Sequence, residues 1–267
     1  MARWWRVAPL GEDASVEAEP LGPLTLCVDV GASSIKACLA DVSGAQASSA
    51  LSRKTRYPFG PDELIEQVAA LAGRLEPADR AGLGFPGMVR AGRVLGAANL
   101  SRIGGEGSAI DEGLVDRWRS VELSQALQDV LGVEVIVAND ADVAALGCAR
   151  GEGVELTVTL GSGLGTGIVA DGRLQAHLEL SELELEGCGS LDELVGERAR
   201  KLIGDGEWNR RVRAALTQLE SIVGFDRLYL AGGNARRVQR NELGSLLERT
   251  WVVSEPVGLL GAVRLFA

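Results

Sequence analysis

Histidine is almost missing from this chain: His177 is the only one among 267 residues. The four cysteines, Cys27, Cys38, Cys148 and Cys188, are far apart, and no Cys-x-x-Cys pair occurs. Zinc is therefore not expected, because structural zinc sites need closely spaced Cys and His ligands. Aromatic residues make up only 4% of the chain, too few for a base-stacking platform. Positive charge is also short. The net charge is −10 and the pI is near 4.8, so the basic face that nucleic-acid binding requires is not expected. No apolar run reaches the roughly 18 residues of a membrane-spanning helix. The opening "MARWWRVAPLGEDASVEAEP" lacks the apolar centre and cleavage site of a secretory signal. The reading is a reduced, cytoplasmic protein with no membrane partner.

Glycine is abundant, at 35 residues, and 46% of the chain is hydrophobic, enough for one large or two medium domains. Two stretches share a plan of strand, glycine-bearing turn and strand: "CVDVGASSIKACLADVSG" from Cys27 and "TVTLGSGLGTGIVADGRL" from Thr157. A shift of 130 residues superimposes them without a gap, bringing Gly31 onto Gly161 and Asp41 onto Asp171. Each closes on an Asp- and Gly-bearing turn suited to a hairpin. Such long-period similarity points to a duplicated domain. Between and after the repeats, helical and strand patterns alternate, which predicts an α/β fold. Helices are expected over 61–75, 120–132 (with Gly132 as C-cap), 141–151, most of 190–222 and 256–266. Strands are expected over 80–85, 133–138 and 225–231, the last followed by a Gly-Gly turn into a helix.

Several turns carry chemistry. Glycines after a strand expose backbone N–H groups to phosphate oxygens. "LGSGLGTG" (160–167) adds the hydroxyls of Ser162 and Thr166, yet it equally suits an ordinary hairpin. In the first hairpin Asp29 precedes the turn, while Ser33 and Lys36 lie in and just after it. A carboxylate there suits Mg²⁺, or a plain turn cap. "VIVANDAD" delivers Asn139 and Asp140 at the carboxyl end of a strand, where α/β proteins place ligands. Either residue also suits the N-cap of the following helix. The basic runs "ERARK", "NRRVRAAL" and "ARRVQR" fit solvated helix faces or a phosphate track.

Taken in order, Asp-x-Gly-x-Ser-x-x-Lys, Asn-Asp at a strand end, the second glycine hairpin and Ala-Gly-Gly-Asn resemble the ROK sugar kinases. These belong to the actin/hexokinase/Hsp70-like superfamily. Within ROK, "GFPGMV", "AANL" and "VANDAD" look most like the polyphosphate/ATP glucokinase branch. The resemblance implies duplicated ribonuclease-H-like domains with a cleft between them. The N-terminal subdomain would span 24–138, the C-terminal one 139–255, and a helix at 256–267 would pack back on the first; residues 1–23 form a tail. It also implies transfer of a phosphoryl group from ATP or polyphosphate, with Mg²⁺, to the 6-hydroxyl of a hexose, with glucose the default. By the same resemblance Asp140 is the general base, and Asn99, Asn139, Glu179 and Glu184 lie at the sugar. Asp29 is the Mg²⁺-associated carboxylate. Gly31, Ser33 and Lys36 serve the first phosphate turn. Thr159, Gly161, Ser162, Gly163, Gly165 and Thr166 serve the second, and Gly232, Gly233 and Asn234 the adenosine side. Many relatives are dimers, so a homodimer is implied as well.

The acidic stretch "LELSELELEG" (178–187) departs from the family pattern. Leu and Glu alternate as on a half-buried strand, but the phase slips at Ser181–Glu182. The family places Glu-x-Gly-His here; Glu179 matches, while Ser181 and Glu182 replace Gly and His. A carboxylate only accepts hydrogen bonds where histidine can donate. Glu179, Glu182 and Glu184 are expected to raise one another's pKa. An amino sugar whose ammonium pairs with Glu182, or a protein that binds without turnover, are the alternatives to a glucose kinase. Glu186 reads as solvated.

Overall fold

Alternation along paired strands decides which side chains meet. The computed structural model describes residues 22–105, 107–185, 187–253 and 256–267. Trp4, Trp5 and the rest of the expected tail up to residue 21, and also Glu186, lie outside the described residues. Contacts divide the chain into two units, 22–143 with Gly258–Ala267, and 144–257.

The first unit is built from β1 (Thr25–Val30), β2 (Ser34–Ala40), β3 (Leu51–Lys54), α1 (Pro61–Ala72), β4 (Arg80–Phe85), β5 (Met88–Arg90), β6 (Arg93–Gly96), α2 (Glu112–Arg119), α3 (Leu123–Leu131) and β7 (Glu134–Asn139). Its sheet runs β3-β2-β1-β4-β7, with β1 antiparallel to β2 and parallel to β4. Leu26, Val28 and Val30 point to one face, where they join Leu64, Val68 and Leu71 of α1 and Leu127 of α3 in the core. Pro61 starts α1, and the Gly60 N–H donates to the Glu63 carboxylate. Gly132 ends α3 in the left-handed conformation (φ 72°), as its position predicts. The helix α2 has no long apolar stripe to announce it. Only Leu114 and Trp118, one turn apart, are buried, and Asp111 caps its start.

The opposite face of β1 carries Cys27 and Asp29. Their cross-strand partners are Cys38 and Lys36 on β2, and Gly82 and Gly84 on β4. Cys27 and Cys38 are wholly buried against Ala262 and Val263 of the C-terminal segment. That segment is a short helix, Val257–Leu260, followed by a 3₁₀ turn over Gly261–Phe266. It fits because β4 has no side chain at Gly82, where a Cβ would lie 2.5 Å from the Ala262 carbonyl oxygen.

α4 (Asp140–Cys148) follows β7 directly. The second unit then contains β8 (Val154–Leu160), β9 (Leu164–Ala170), β10 (Arg173–Leu174), β11 (Glu184–Leu185), β12 (Gly189–Ser190), α5 (Leu191–Val195), α6 (Glu197–Val223), β13 (Arg227–Ala231) and β14 (Thr250–Val252); α7 is Val257–Leu260. Its sheet runs β10-β9-β8-β13-β14, the same order and directions as β3-β2-β1-β4-β7. The duplication read from the sequence is thus visible in topology. One detail differs. Val30 pairs with Ile35 across four turn residues, whereas Leu160 pairs with Leu164 across three. The gap-free sequence match therefore does not carry over to register. Lys36 faces Asp29, but its counterpart Thr166 faces Val158, on the core side of the sheet.

Two expectations need correction. Residues 178–185 do not form the half-buried strand that their alternation suggests: Leu180–Glu182 forms a 3₁₀ turn, and among the described residues of this stretch only Glu184–Leu185 pairs, with β12. The slip in alternation marks the coil, which buries Leu180 and Ser181. The Gly-Gly turn after β13 leads not to a long helix but to a 3₁₀ turn at Ala235–Arg237 and two more behind it. Buried Asn209 of α6 explains this. It donates to the Arg237 carbonyl (3.1 Å) and accepts from the Gln239 N–H (2.6 Å), holding that chain segment flat.

The turn at 161–163 is held at both ends. The Glu197 N–H, opening α6, donates to the carbonyls of Gly161 (3.1 Å) and Ser162 (3.0 Å). Asn234 Nδ2 donates to the Gly161 carbonyl (3.2 Å) and the Glu197 carboxylate (2.9 Å). The Arg200 guanidinium grips that carboxylate in two places (2.8 and 2.9 Å), and Lys201 lies 3.3 Å away.

Replacing Gly82 by Ala is expected to cost about 2 kcal/mol, lowering Tm by about 4–8 °C. Calorimetry checks this, and an unchanged Tm contradicts the close approach of Ala262. The Arg200 guanidinium, with help from Asn234 and Lys201, holds the Glu197 carboxyl at about 2 against an ordinary value of 4.5. A lowered folded-state pKa contributes stability above pH 4.5 that is lost as pH falls toward about 2. Glu197→Gln is therefore expected to flatten the acid limb of stability over that window in urea unfolding, while the wild type declines.

Candidate active site

In the first unit Asn139 and Asp140 stand where β7 meets α4, and they divide the work. Asn139 is buried, and its Oδ1 accepts the N–H groups of Ala141 (2.8 Å) and Asp142 (3.3 Å), a helix cap. Its Nδ2 donates to the Gly87 carbonyl (3.1 Å), which joins the cap to the turn before β5. Asp140 is half-buried, and its Oδ1 accepts the Ala141 N–H (2.8 Å). Gly84 lies beneath it: a Cβ there would stand 3.3 Å from Asp140 Cα. Gly84 is also the β4 partner of Asp29. One missing side chain thus leaves open the strip of sheet that joins the Asp29 and Asp140 positions.

Asp29 and Lys36 are direct cross-strand neighbours, both half-buried, so opposite charges share one face. The turn between them is anchored from outside. Thr55 Oγ1 donates to the Gly31 carbonyl (3.0 Å) and the Tyr57 hydroxyl to the Ala32 carbonyl (2.8 Å). Neither anchor stands out in the sequence, because each lies more than twenty residues away. Ser33 is exposed at the tip, and Asn99 is half-buried in a 3₁₀ turn after β6.

In the second unit Thr159 is half-buried on the face opposite the core, flanked by Gly165 and Ala231, so small residues border it on both sides. Ser162 is exposed, and nothing lies within 4 Å of a Cβ placed on Gly161 or Gly233. Gly163 packs its Cα against Asp192, whose carboxylate also accepts the Leu164 N–H (2.8 Å). Gly232 has φ 86°, and a Cβ on it would stand 2.5 Å from the Leu160 carbonyl oxygen. Glycine is required there both for conformation and for space. Asn234 is buried, bound to the second turn as described. Thr166 is buried too, and its hydroxyl donates to the Leu178 carbonyl (3.3 Å). The hydroxyl carries a single proton, so in this arrangement Thr166 ties β9 to the acidic segment.

That segment separates its glutamates. Glu179 is partly exposed, with His177 Nε2 3.3 Å from its Oε1. Glu182 is exposed on the 3₁₀ turn. Its carboxyl is pushed up by partial burial, and then by the charges of Asp192, Glu179 and Glu193. Burial, together with the charges of Glu193 and Glu179, likewise raises Asp192, against the lowering effect of its bond from Leu164. Glu184 is not in this group. It lines a groove of about 860 Å³ with Arg210 and Arg213 of α6. The carboxylates gathered with Glu179 and Glu182 are Asp192 and Glu193 instead. Their sequence signal was "SLDE", a capping box in which Ser190 Oγ accepts the Glu193 N–H (3.2 Å).

The basic runs mostly meet acids within α6. Arg200 bonds Glu197 and Asp205, while Arg210 and Arg211 pair with Glu207.

The ROK family model matches residues 25–177. The polyphosphate glucokinase of Mycobacterium leprae (strain TN) is 25% identical over 253 residues, covering 88% of this chain and 72% of that protein. The Mycobacterium tuberculosis (strain CDC 1551 / Oshkosh) polyphosphate glucokinase is 25% identical, with 88% of each chain covered. The crystal structure of inorganic polyphosphate/ATP-glucomannokinase from Arthrobacter sp. strain KM superposes with a TM-score of 0.74 at 26% identity, covering 91% of this chain and 97% of that one. A ROK family glucokinase from Streptomyces griseus, solved with glucose and AMPPNP, shares the fold at a TM-score of 0.68 and 23% identity, over 91% and 98%. With the family model spanning more than half its length, and the duplicated sheets carrying the motifs in order, this chain belongs to the ROK family.

Proposed function

We propose that this protein is a hexokinase-type kinase that moves a phosphoryl group from ATP or polyphosphate to the 6-hydroxyl of a hexose, with glucose the first substrate to test. The observation that carries the reading is the division of labour at β7–α4. Asn139 caps the helix, which leaves the Asp140 carboxylate half-exposed at a strand's carboxyl end, above the gap at Gly84.

Asp140 then takes the proton of the attacking hydroxyl. Asn139, held at Gly87, and Asn99 flank the sugar, and Glu179 accepts from its hydroxyls. The turns at 31–34 and 161–163 offer backbone N–H groups and the hydroxyls of Ser33 and Ser162 to the donor's phosphates, with Lys36 neutralising charge. Gly232, Gly233 and Asn234 receive the far end of the donor. Among the described residues no cluster of three or more His, Cys, Asp or Glu side chains assembles that could hold a metal. A single hard carboxylate at Asp29 fits Mg²⁺ carried on the donor's phosphates, the usual way this ion is bound. When bound, Mg²⁺ supplies charge neutralisation between the phosphates.

A second reading is favoured by the crowding at Glu182. Partial burial and then three neighbouring carboxylates raise its pKa, and a cationic 2-amino sugar relieves the repulsive part. A kinetic comparison of glucose, mannose and glucosamine, each with ATP and with polyphosphate, decides between the readings. Glucosamine not being preferred over glucose and mannose removes the second, and no turnover with any hexose removes both. Asp140→Asn is expected to lower kcat by about 10²–10⁴-fold with an unchanged circular dichroism spectrum. Near-normal turnover would take the base away from Asp140.

A further inference from the structure

The chain's one histidine sits two residues before the glutamate proposed to receive the sugar. The His177 side chain is only 7% exposed, and its Nε2 lies 3.3 Å from Glu179 Oε1, while Glu179 remains 36% exposed. The backbone around the pair is fixed independently. The Gln175 N–H donates to Ile168 (2.9 Å), Thr166 Oγ1 to Leu178 (3.3 Å), and the Leu180 N–H to Leu178 (2.8 Å). Electrostatically Glu179 is hemmed in. Its charge acts on Glu182 and Asp192, and Glu193 acts on the same two. A carboxylate in that company is repelled outward, and the buried imidazole nitrogen 3.3 Å from its Oε1 opposes that displacement.

We infer that His177 is a positioning residue, which holds the Glu179 carboxylate oriented to accept sugar hydroxyls. The inference rests on the kinase reading above, in which Glu179 meets the sugar. His177 touches no reacting atom. It acts through Glu179, by the 3.3 Å contact of its Nε2 with Oε1, with its ring kept from water so that the contact is not diluted by solvent.

Three variants test it by steady-state kinetics in both hexose and donor. His177→Ala is expected to raise KM for the hexose about tenfold or more, the scale of one hydrogen bond to a charged group, with kcat within about threefold and KM for the donor unchanged. His177→Gln keeps an N–H donor and is expected to bring the hexose KM back to within about threefold of wild type. In a Glu179→Gln background, His177→Ala is expected to add no further rise. A hexose KM unchanged in His177→Ala overturns the inference, and so do equal defects in the Ala and Gln variants. Additive effects in the double variant overturn it too, and that arm stands even if His177→Ala alone loses stability. Failure of the wild type to phosphorylate any hexose removes the kinase reading and this inference with it; a wild type that turns over while His177→Ala keeps its KM removes the inference alone.

Discussion

The two-residue period of a β-strand is the constraint on which everything else in this molecule rests. In each unit the first strand sends Leu and Val one way to build a core, and the residues between them the other way. In the first unit that other face gathers Asp29, Lys36, Gly84 and the start of α4. In the second it exposes Thr159 between two small neighbours. Core and chemistry are therefore not separately tuned, because one register sets both. The unequal turns show how sharp this is. Removing one residue between β8 and β9, relative to β1 and β2, turns Thr166 from the chemical face to the core, where it anchors the chain ahead of Glu179.

Much of this was legible before any coordinates. Strands that alternate or run apolar between glycine turns, a Gly at the end of α3, and Asn-Asp after an apolar strand are local signals, and local physics resolves them. The repeat at 130 residues was legible because duplicated strands keep their apolar pattern. Register was not: turn length is set by how the two strands twist together, and a gap-free match cannot report it. The acidic segment misled for a related reason. Leu-Glu alternation mimics a strand, but Leu180 gains more by burial under α5 than by pairing, and the chain coils to deliver it. The 3₁₀ turns after β13 depend on Asn209, thirty residues away, and α2 depends on two apolar residues alone.

Charge is placed unevenly, and the unevenness has a pattern. Where a carboxylate supports backbone it is paired: Glu197 sits between Arg200, Lys201 and Asn234, and buried Glu155 accepts the N–H groups of Arg150 and Gly151 and the Tyr229 hydroxyl. Around Glu182 the charges that act on its carboxyl are those of the acids Asp192, Glu179 and Glu193, and His177 stands beside Glu179. The paired carboxylates steady backbone, whereas in the acidic turn burial and like charge both raise the carboxyls of Glu182 and Asp192. Such stored imbalance is characteristic of binding sites.

Cysteine burial has a practical side. Cys27 and Cys38 are sealed beneath the C-terminal segment and Cys148 is buried, while Cys188 is exposed in the turn between β11 and β12. A maleimide dye applied to the unmodified protein will thus mark one position, three residues beyond Leu185 and close in sequence to the acidic turn. The chain comes with its own attachment point for a fluorophore, so ligand titrations can be followed by emission without engineering a thiol or removing the other three.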